Sequence, residues 1–488
     1  MSSHLRSAKS IIAYLIAATI STPSHAQSQD LGQLEIRREA TESTNKIKIE
    51  DEMSLKEAII LANKLALMGQ TAEASAIWEK AVKWGEKNLG NEHPDLATGL
   101  INLANLYRDL ERYPEAERLL ERAAEIDKKN YGPQSLERAG SLTSLAMTLL
   151  DQDKLEAARQ TQAEALNIYR HTLGTNHHYT SVALYNLGLI YKEDGQLDTA
   201  ERLLKQSLEA STKNEPESKG LAVDTLNILA TIYIRKAQYS RAEDSLHAAL
   251  SRLGDSGGHK EDIDKSDIYN TLGDLYRLQG RLKESEESLK KSIRIGTEAT
   301  GGYSGLTIAA KSNLALTYKV AGKIAEAAAL YADALSSSEK KYGHESIQLI
   351  TLLSNIGALH LENKKYTKAL EATERALTIL RKSPGDSRGK QAAILNNLGN
   401  IYFEIGDNAK GFLYLRQAMD TTKQQYGEEH PRYFQSLRSL ALRMVETKQP
   451  FDAVTEQLNS ALDHEINWLL QEVPHISEAN RPRQLIAL

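Results

Sequence analysis

Eleven asparagines recur at related spacings, and a carboxamide carries two donors and an acceptor on one short arm. Asn102, Asn186, Asn313, Asn355 and Asn397 are separated by multiples of 42 residues, with one residue over before Asn313. Asn227, Asn270 and Asn396 come one residue earlier in their own segments, and Asn63, Asn105 and Asn400 three residues later. On a helix, positions three apart share a face. Asparagine is a mediocre helix former, so its recurrence there needs a reason. Two readings are open. The amides can grip the backbone of an extended peptide without reading its side chains, or they can hydrogen-bond between neighbouring segments and rigidify an array. The first reading makes Asn102, Asn105, Asn186, Asn227, Asn270, Asn313, Asn355, Asn396, Asn397 and Asn400 the candidate partner-binding set.

Residues that could do harder chemistry are sparse. Cysteine is absent, which removes disulfides, thiolate metal sites and a cysteine nucleophile. His177 and His178 are adjacent; on a helix they point about 100° apart, and no third ligand stands at metal spacing. No glycine-rich phosphate loop is present. Gly302-Tyr303-Ser304-Gly305-Leu306 departs from the nucleophile-elbow pattern at Leu306. Neither a metal nor a cofactor is expected.

The elements that position the asparagines follow from a repeat. A small residue stands at 62, 104, 146, 188, 230, 273, 315, 357, 399 and 441, so that eight intervals are 42 residues and one, from Ala230 to Gly273, is 43. Twelve residues after each comes another Ala, Gly or Ser, from Ala74 to Ala453, and seven further a third, from Ala81 to Ser460. Two antiparallel helices reach the short end of the usual spacing of about 8–10 Å only where the crossing residues are small. Three residues after the first small position usually stands a tyrosine: Tyr107, Tyr191, Tyr233, Tyr276, Tyr318 and Tyr402. It is expected to wedge between successive pairs.

These positions resemble the tetratricopeptide repeat, which has small residues at its eighth, twentieth and twenty-seventh places and an aromatic at its eleventh. The usual period is about 34 residues. The longer period, with connectors such as Leu89-Gly90-Asn91-Glu92-His93-Pro94 and Tyr426-Gly427-Glu428-Glu429-His430-Pro431, resembles the subclass of kinesin light chains and many bacterial repeat proteins. The resemblance implies an all-α fold, a right-handed superhelical solenoid of about ten helix pairs over residues 54–463, with a concave groove lined by the first helix of each pair. In kinesin light chains and related arrays, asparagines at these places hold an extended peptide. A long last helix is expected from about Phe451 to Glu472, stopped by Pro474.

Counted in this frame, the thirteenth place holds Asp109, Asp151, Glu193, Glu362, Glu404 and Glu446, with Arg235 the one base. The row either favours a partner segment with Lys or Arg, or is neutralised by Arg108, Lys192, Arg277 and Lys319, one residue earlier. The second and fifth places carry only Lys56 and Arg438 as bases, far apart, which argues against a clamp for a partner's free C-terminus. Gly254-Asp255-Ser256-Gly257-Gly258 is identical to the pentapeptide around the nucleophile of trypsin-like serine proteases. That family places it in a β fold, whereas here it falls in a connector, where Gly, Asp and Ser serve turns. No catalytic residue is expected, and the chain reads as a non-enzyme.

The remaining segments set the compartment. Residues 1–26 have the form of a signal peptide: Arg6 and Lys9, an apolar run from Ile11 to Ile20, then Ser24-His25-Ala26. The run is too short to span a bilayer as a helix. Cleavage after Ala26 is expected, giving a periplasmic or secreted protein. A frayed apolar terminus and an uncleaved anchor are the alternatives. Residues 27–53 read as a flexible polar lead-in. Net charge is −5 with no basic stripe, which excludes nucleic acid as an expected partner. Within residues 464–488, His464-Glu465-Ile466-Asn467 and Ser477-Glu478-Ala479-Asn480-Arg481 resemble the segment joining bacterial repeat arrays to a caspase-like CHAT domain. With no cysteine, protease activity is not carried over. The expected function is a scaffold binding a partner protein in the groove; the alternative is a regulatory or sensory arm of a separately encoded effector.

Overall fold

The computed structural model describes residues 49–67, 70–254, 258–300, 302, 304–382, 388–428, 431–450, 455–456 and 459–460. The expected signal peptide, most of the lead-in, residues 255–257 of the protease-like pentapeptide, the C-terminal tail and nearly all of the expected last helix lie outside them.

Every regular element among the described residues is helical. In the first half these are α1 (Glu52–Leu67), α2 (Thr71–Asn88), α3 (Pro94–Asp109), α4 (Tyr113–Tyr131), α5 (Leu136–Asp151), α6 (Leu155–Leu173), α7 (His178–Glu193), α8 (Leu197–Lys213), α9 (Lys219–Arg235) and α10 (Tyr239–Arg252). There follow α11 (His259–Leu278), α12 (Leu282–Thr300), α13 (Gly305–Val320), α14 (Ile324–Tyr342), a 3-10 turn (Ile347–Leu349), α15 (Ile350–Glu362), α16 (Tyr366–Lys382), α17 (Arg388–Ile405), α18 (Asn408–Tyr426) and α19 (Pro431–Glu446). Odd-numbered helices are the first members of the 42-residue repeats and even-numbered helices the second.

The chain divides into two compact units, Met1–Thr317 and Tyr318–Leu488. In the first, consecutive helices from α1 to α12 pack on one another, and first helices also touch one another, as α7 does α9 and α9 does α11. In the second, α14 to α19 pack in the same serial way. No pair can bury its apolar face alone, so neighbours share it. The cores run accordingly across repeats: Leu100, Leu120, Leu145 and Ile190 belong to one cluster of the first unit, and Leu353, Leu380 and Leu398 to one of the second.

The small positions stand where helices cross. All those described are buried except Ser460, which is partly exposed; Ala453 lies outside the described residues. The space there is occupied from the facing helix. A Cβ on Gly188 would lie 2.8 Å from Leu204 Cγ, and one on Gly273 or Gly399 would collide with Leu289 or Leu415. In each case the intruding side chain is sixteen residues further on.

The tyrosines do wedge between pairs, and they are held chemically as well. Tyr107 Oη donates to Glu79 Oε1 at 2.7 Å, while the Arg112 guanidinium lies 3.8 Å over its ring. Tyr276 donates to Glu243 at 3.0 Å beneath Arg281 at 4.1 Å. In the second unit Tyr402 reaches Glu374 at 3.4 Å, with Lys410 Nζ 5.0 Å over the ring. Each seam thus combines ring burial, a charge-assisted hydrogen bond and a cation on the ring face.

The turn inside each repeat has a left-handed residue at one fixed place, seven residues after the first small position. Glycine occupies it at 195, 280, 322 and 406, but Glu111, Asp153, Ala237, Lys364 and Lys448 hold it elsewhere, with φ of 52–61°. Between repeats, His93 and His177 cap the next helix: each Nδ1 accepts a backbone N–H, from Asp95 and Tyr179 respectively, at 3.2 Å. Pro94 opens α3, where a missing N–H costs nothing.

Candidate partner-binding face

The ten candidate asparagines all lie on first helices, and all are partly or fully buried. The structure divides them. Asn227 Nδ2 donates to Asp267 Oδ2 of the next repeat at 2.6 Å. Asn313 Nδ2 donates to Asn270 Oδ1 at 2.8 Å, and Asn400 Oδ1 accepts from Arg443 Nε at 3.2 Å. These four span neighbouring repeats as staples. Asn313, expected to have a free amide, is therefore corrected: a first helix one repeat back presents an acceptor within reach. Among the described residues, Asn102, Asn105, Asn186, Asn355, Asn396 and Asn397 carry no side-chain hydrogen bond.

The thirteenth-place acids are largely neutralised, and by the stacking offset itself. Arg108 Nε reaches Asp151 of the next repeat at 3.0 Å, and Lys319 Nζ reaches Glu362 at 2.6 Å. Glu193 pairs with Lys192 at 2.9 Å. Arg443 serves both Glu404 at 3.6 Å and Glu446 at 2.8 Å. Arg277 turns instead to Asp274 of its own helix at 2.5 Å. Asp109 keeps no ion pair among the described residues; burial pushes its carboxyl up, with the Arg108 charge opposing.

A different acid cluster emerges on α9 and α11, facing Tyr185 of α7. Asp224 and Asp267 occupy the second place of consecutive repeats, and Asp264 stands two residues before the first place of the later one. Burial pushes the Asp224 carboxyl up to about 6; Lys260 opposes, while Asp264 and Asp267 add to the rise. Burial also raises Asp267, reinforced by Asp264 and opposed by the hydrogen bond from Asn227. Asp264 is raised by burial against the pull of Lys260, whose Nζ lies 3.6 Å away. Across from them, the Tyr185 hydroxyl is raised by burial and then by Asp224 and Asp267. The Oδ1 of Asn227 is buried with no hydrogen-bond partner, and the residue as a whole is 6% exposed.

The cluster sits at the break in the period. Asp264 and Asp267 fall in the 43-residue interval and Asp224 just before it, where α10 is only 14 residues long and α11 extends to 20. The additional first turn of α11 carries Lys260 and Glu261 up against the start of α9, where Lys219 Nζ meets Glu261 at 2.8 Å, and Asp264 follows just behind it. Sequence reasoning noted the second places only for their lack of bases. Their acids become a signal once the 43-residue interval is recognised as a local change in geometry.

Among the described residues no group of three His, Cys, Asp or Glu side chains is placed to hold a metal ion. His178 Nδ1 lies 2.8 Å from Ser218 Oγ, a contact between repeats. No described helix is long and apolar enough to cross a membrane.

Family models described as tetratricopeptide repeat match residues 58–129, 137–213, 264–340 and 306–382, and a second repeat model of that description matches 391–432. Protein KINESIN LIGHT CHAIN-RELATED 1 of Arabidopsis thaliana is 26% identical over 209 residues, 42% of this chain and 34% of its own length; this chain thus spans about a third of that relative. BtubC (BKLC) of P. vanneervenii is 23% identical, over 47% of this chain and 92% of its own, with a TM-score of 0.41. A Rap protein solved in complex with competence and sporulation factor aligns over 77% of this chain and 99% of its own, at 14% identity and a TM-score of 0.50.

Proposed function

The chain belongs to the tetratricopeptide repeat family, and from that premise we propose that it is a non-catalytic scaffold holding an extended segment of a partner protein along its first helices. The observation that carries this reading is the set of unpartnered amides, Asn102, Asn105, Asn186, Asn355, Asn396 and Asn397. These side-chain atoms lack protein partners yet are not sealed from water, so asparagine's poor helix propensity is not repaid within the free protein. A peptide backbone laid over these helices supplies the missing donors and acceptors. The four stapled asparagines then hold neighbouring first helices in register beneath it.

The test uses the partner recovered by co-purification from the native host. Asn355→Ala with Asn397→Ala is expected to melt no earlier than the wild type, since alanine is the better helix former. It is expected to bind roughly tenfold more weakly, at about 0.5–1.5 kcal/mol per lost hydrogen bond. Variants that melt early and bind as before would make these residues structural and move the partner surface elsewhere. The exported location is part of the same proposal and rests on residues 1–26; N-terminal sequencing of mature protein is expected to begin at Gln27, and intact Met1 in a membrane fraction would replace export by anchoring.

A further inference from the structure

Asp224, Asp264 and Asp267 lie where a first helix begins a turn early, and among them sits a buried carbonyl with nothing to accept. Asn227 is fixed by its own donor: Nδ2 is spent on Asp267 at 2.6 Å, which leaves Oδ1 as the unpartnered atom. The assignment is not interchangeable, because turning the amide over would aim oxygen at a carboxylate. A buried acceptor without a donor costs stability, and carboxylates withdrawn from water beside one another cost more. The pocket therefore offers acceptors almost exclusively: three carboxylates and one carbonyl, with the Tyr185 hydroxyl opposite. Its resident cation, Lys260, leaves three-to-one against it. That side chain is more than half exposed and meets only Asp264, at 3.6 Å. The nearby Lys219 is engaged with Glu261, and Lys265 lies 3.7 Å from Asp262.

We propose that this pocket receives the guanidinium of an arginine side chain carried by the bound partner segment. A guanidinium brings five N–H donors and no acceptor, the complement of what the pocket presents. It is planar, so it can bridge a carboxylate and the Asn227 carbonyl at once, and it is weakly hydrated enough to enter a partly buried site. A bare metal ion suits the place less well, since the acids do not converge as a ligand set. The inference rests on the groove reading above and adds a register to it: the arginine fixes which part of the segment lies over α9 and α11, while the asparagines bind backbone. It also reverses the charge of a carboxylate clamp, since acids stand at the second places.

The experiment selects a random dodecapeptide library displayed on phage against the full chain, then measures the selected peptide with its arginine replaced by citrulline, which is neutral and nearly isosteric. Selected peptides are expected to share one arginine. Citrulline is expected to weaken binding to the wild type about tenfold or more, and to change binding to the Asp224→Asn/Asp267→Asn variant less than twofold. That variant is expected to melt no earlier than the wild type at pH 7, because two desolvated charges are gone. Peptides selected without a common basic residue, or a citrulline effect that persists in the variant, would overturn the arginine pocket and leave the groove reading standing. If no peptide is selected, the groove reading fails, and the pocket is decided alone by thermal shift with N-acetyl-arginine amide. An upshift larger in the wild type than in the double variant, and absent with N-acetyl-citrulline amide, upholds it; equal shifts overturn it.

Discussion

Glu201 and Asp224 stand on successive helices, α8 and α9, and the array treats them in opposite ways. Burial pushes the Glu201 carboxyl up, but hydrogen bonds from Lys205 and Lys236, with their charges, outweigh it and hold it at about 2. Oε1 takes Lys205 at 2.7 Å and Arg241 at 3.0 Å, and Oε2 takes Lys236 at 2.7 Å. Asp224 is withdrawn from water in company with two other acids, and its carboxyl stands at about 6. The difference is one of side. On the seam, where a second helix meets the next repeat, stacking brings bases from α8, the turn after α9, and α10 onto one glutamate. On the face of the first helices, the same stacking lines acid behind acid. A scaffold whose charges were arranged for stability alone would pair both; the unpaired one lies on the face that the proposed partner segment would cover.

The seam should be the costlier to break. Ala158 is fully buried where α6 crosses its neighbours, and Ala158→Leu is expected to cost about 1–3 kcal/mol of overpacking strain, read by urea denaturation. Because repeats couple mainly to neighbours, hydrogen exchange should show lost protection around α5–α7 with α11 and α12 unaffected. Uniform loss would mean that cooperativity extends through the whole unit.

Next in size is the glutamate itself. Glu201→Ala leaves Lys236, whose side chain is only 15% exposed, with Asp198 as its remaining carboxylate, and is expected to cost about 1–2 kcal/mol at pH 7. With its folded value at about 2 against a usual 4.5, Glu201 contributes stability that is present above pH 4.5 and lost as pH falls toward 2. The variant should lose that acid-side slope; a wild-type-like slope would assign the network no weight.

What the sequence made legible was decided by steric necessity within one repeat. Close helix crossings require small residues, so Ala104, Ala116 and Ala123 announce a helix pair with no knowledge of the rest. The wedge at Tyr107 was equally plain, whereas its glutamate was not: Glu79 lies a repeat away, and nothing local says that their side chains meet. The same applies to Asn270 and Asn313, whose hydrogen bond depends on how far one first helix is displaced along the next. Arg108 and Asp151 were seen as a row of acids beside a row of bases, and the stacking offset decided their pairing. The acid pocket was hardest to see, because it arises from a departure from the period. One extra residue between Ala230 and Gly273 and a longer α11 accompany the gathering of Asp264 beside two acids that are otherwise ordinary helix-surface residues.

The open face predicts a pH dependence of opposite sign. Asp224 has a folded value of about 6 against a usual 3.8, so its ionised form is disfavoured by folding. The folded state should gain stability as pH falls from above 6 to about 4, with Lys260, Asp264, Asp267 and Tyr185 the groups facing it. Asp224→Asn should flatten the profile in that window and raise stability at pH 7 by about 1 kcal/mol, after allowance for its partial exposure. Acid titration of the wild type would then show a rise before the fall due to Glu201. A monotonic decline from pH 7 would mean that the cluster is better solvated than its surroundings imply.

The smallest expected effect lies in the turn that delivers Lys236 to the seam. Ala237 adopts φ of 52°, a left-handed conformation that costs a residue with a Cβ about 1–2 kcal/mol, while Gly195 and Gly280 hold the same place in adjacent repeats at no such cost. Alanine gives part of this back by restricting the unfolded chain, about 0.4–1 kcal/mol relative to glycine. Ala237→Gly should therefore stabilise by about 0.5 kcal/mol, and Gly280→Ala should destabilise by a similar amount. The pair sharpens the contrast between seam and face. If the strain at Ala237 belongs to its own backbone alone, Ala237→Gly should gain the same amount in a Glu201→Ala background, and the two changes should add. A gain that vanishes in that background would show that the strained turn and the glutamate are coupled. The backbone of the hairpin would then be held in its left-handed form by the seam rather than by its own sequence.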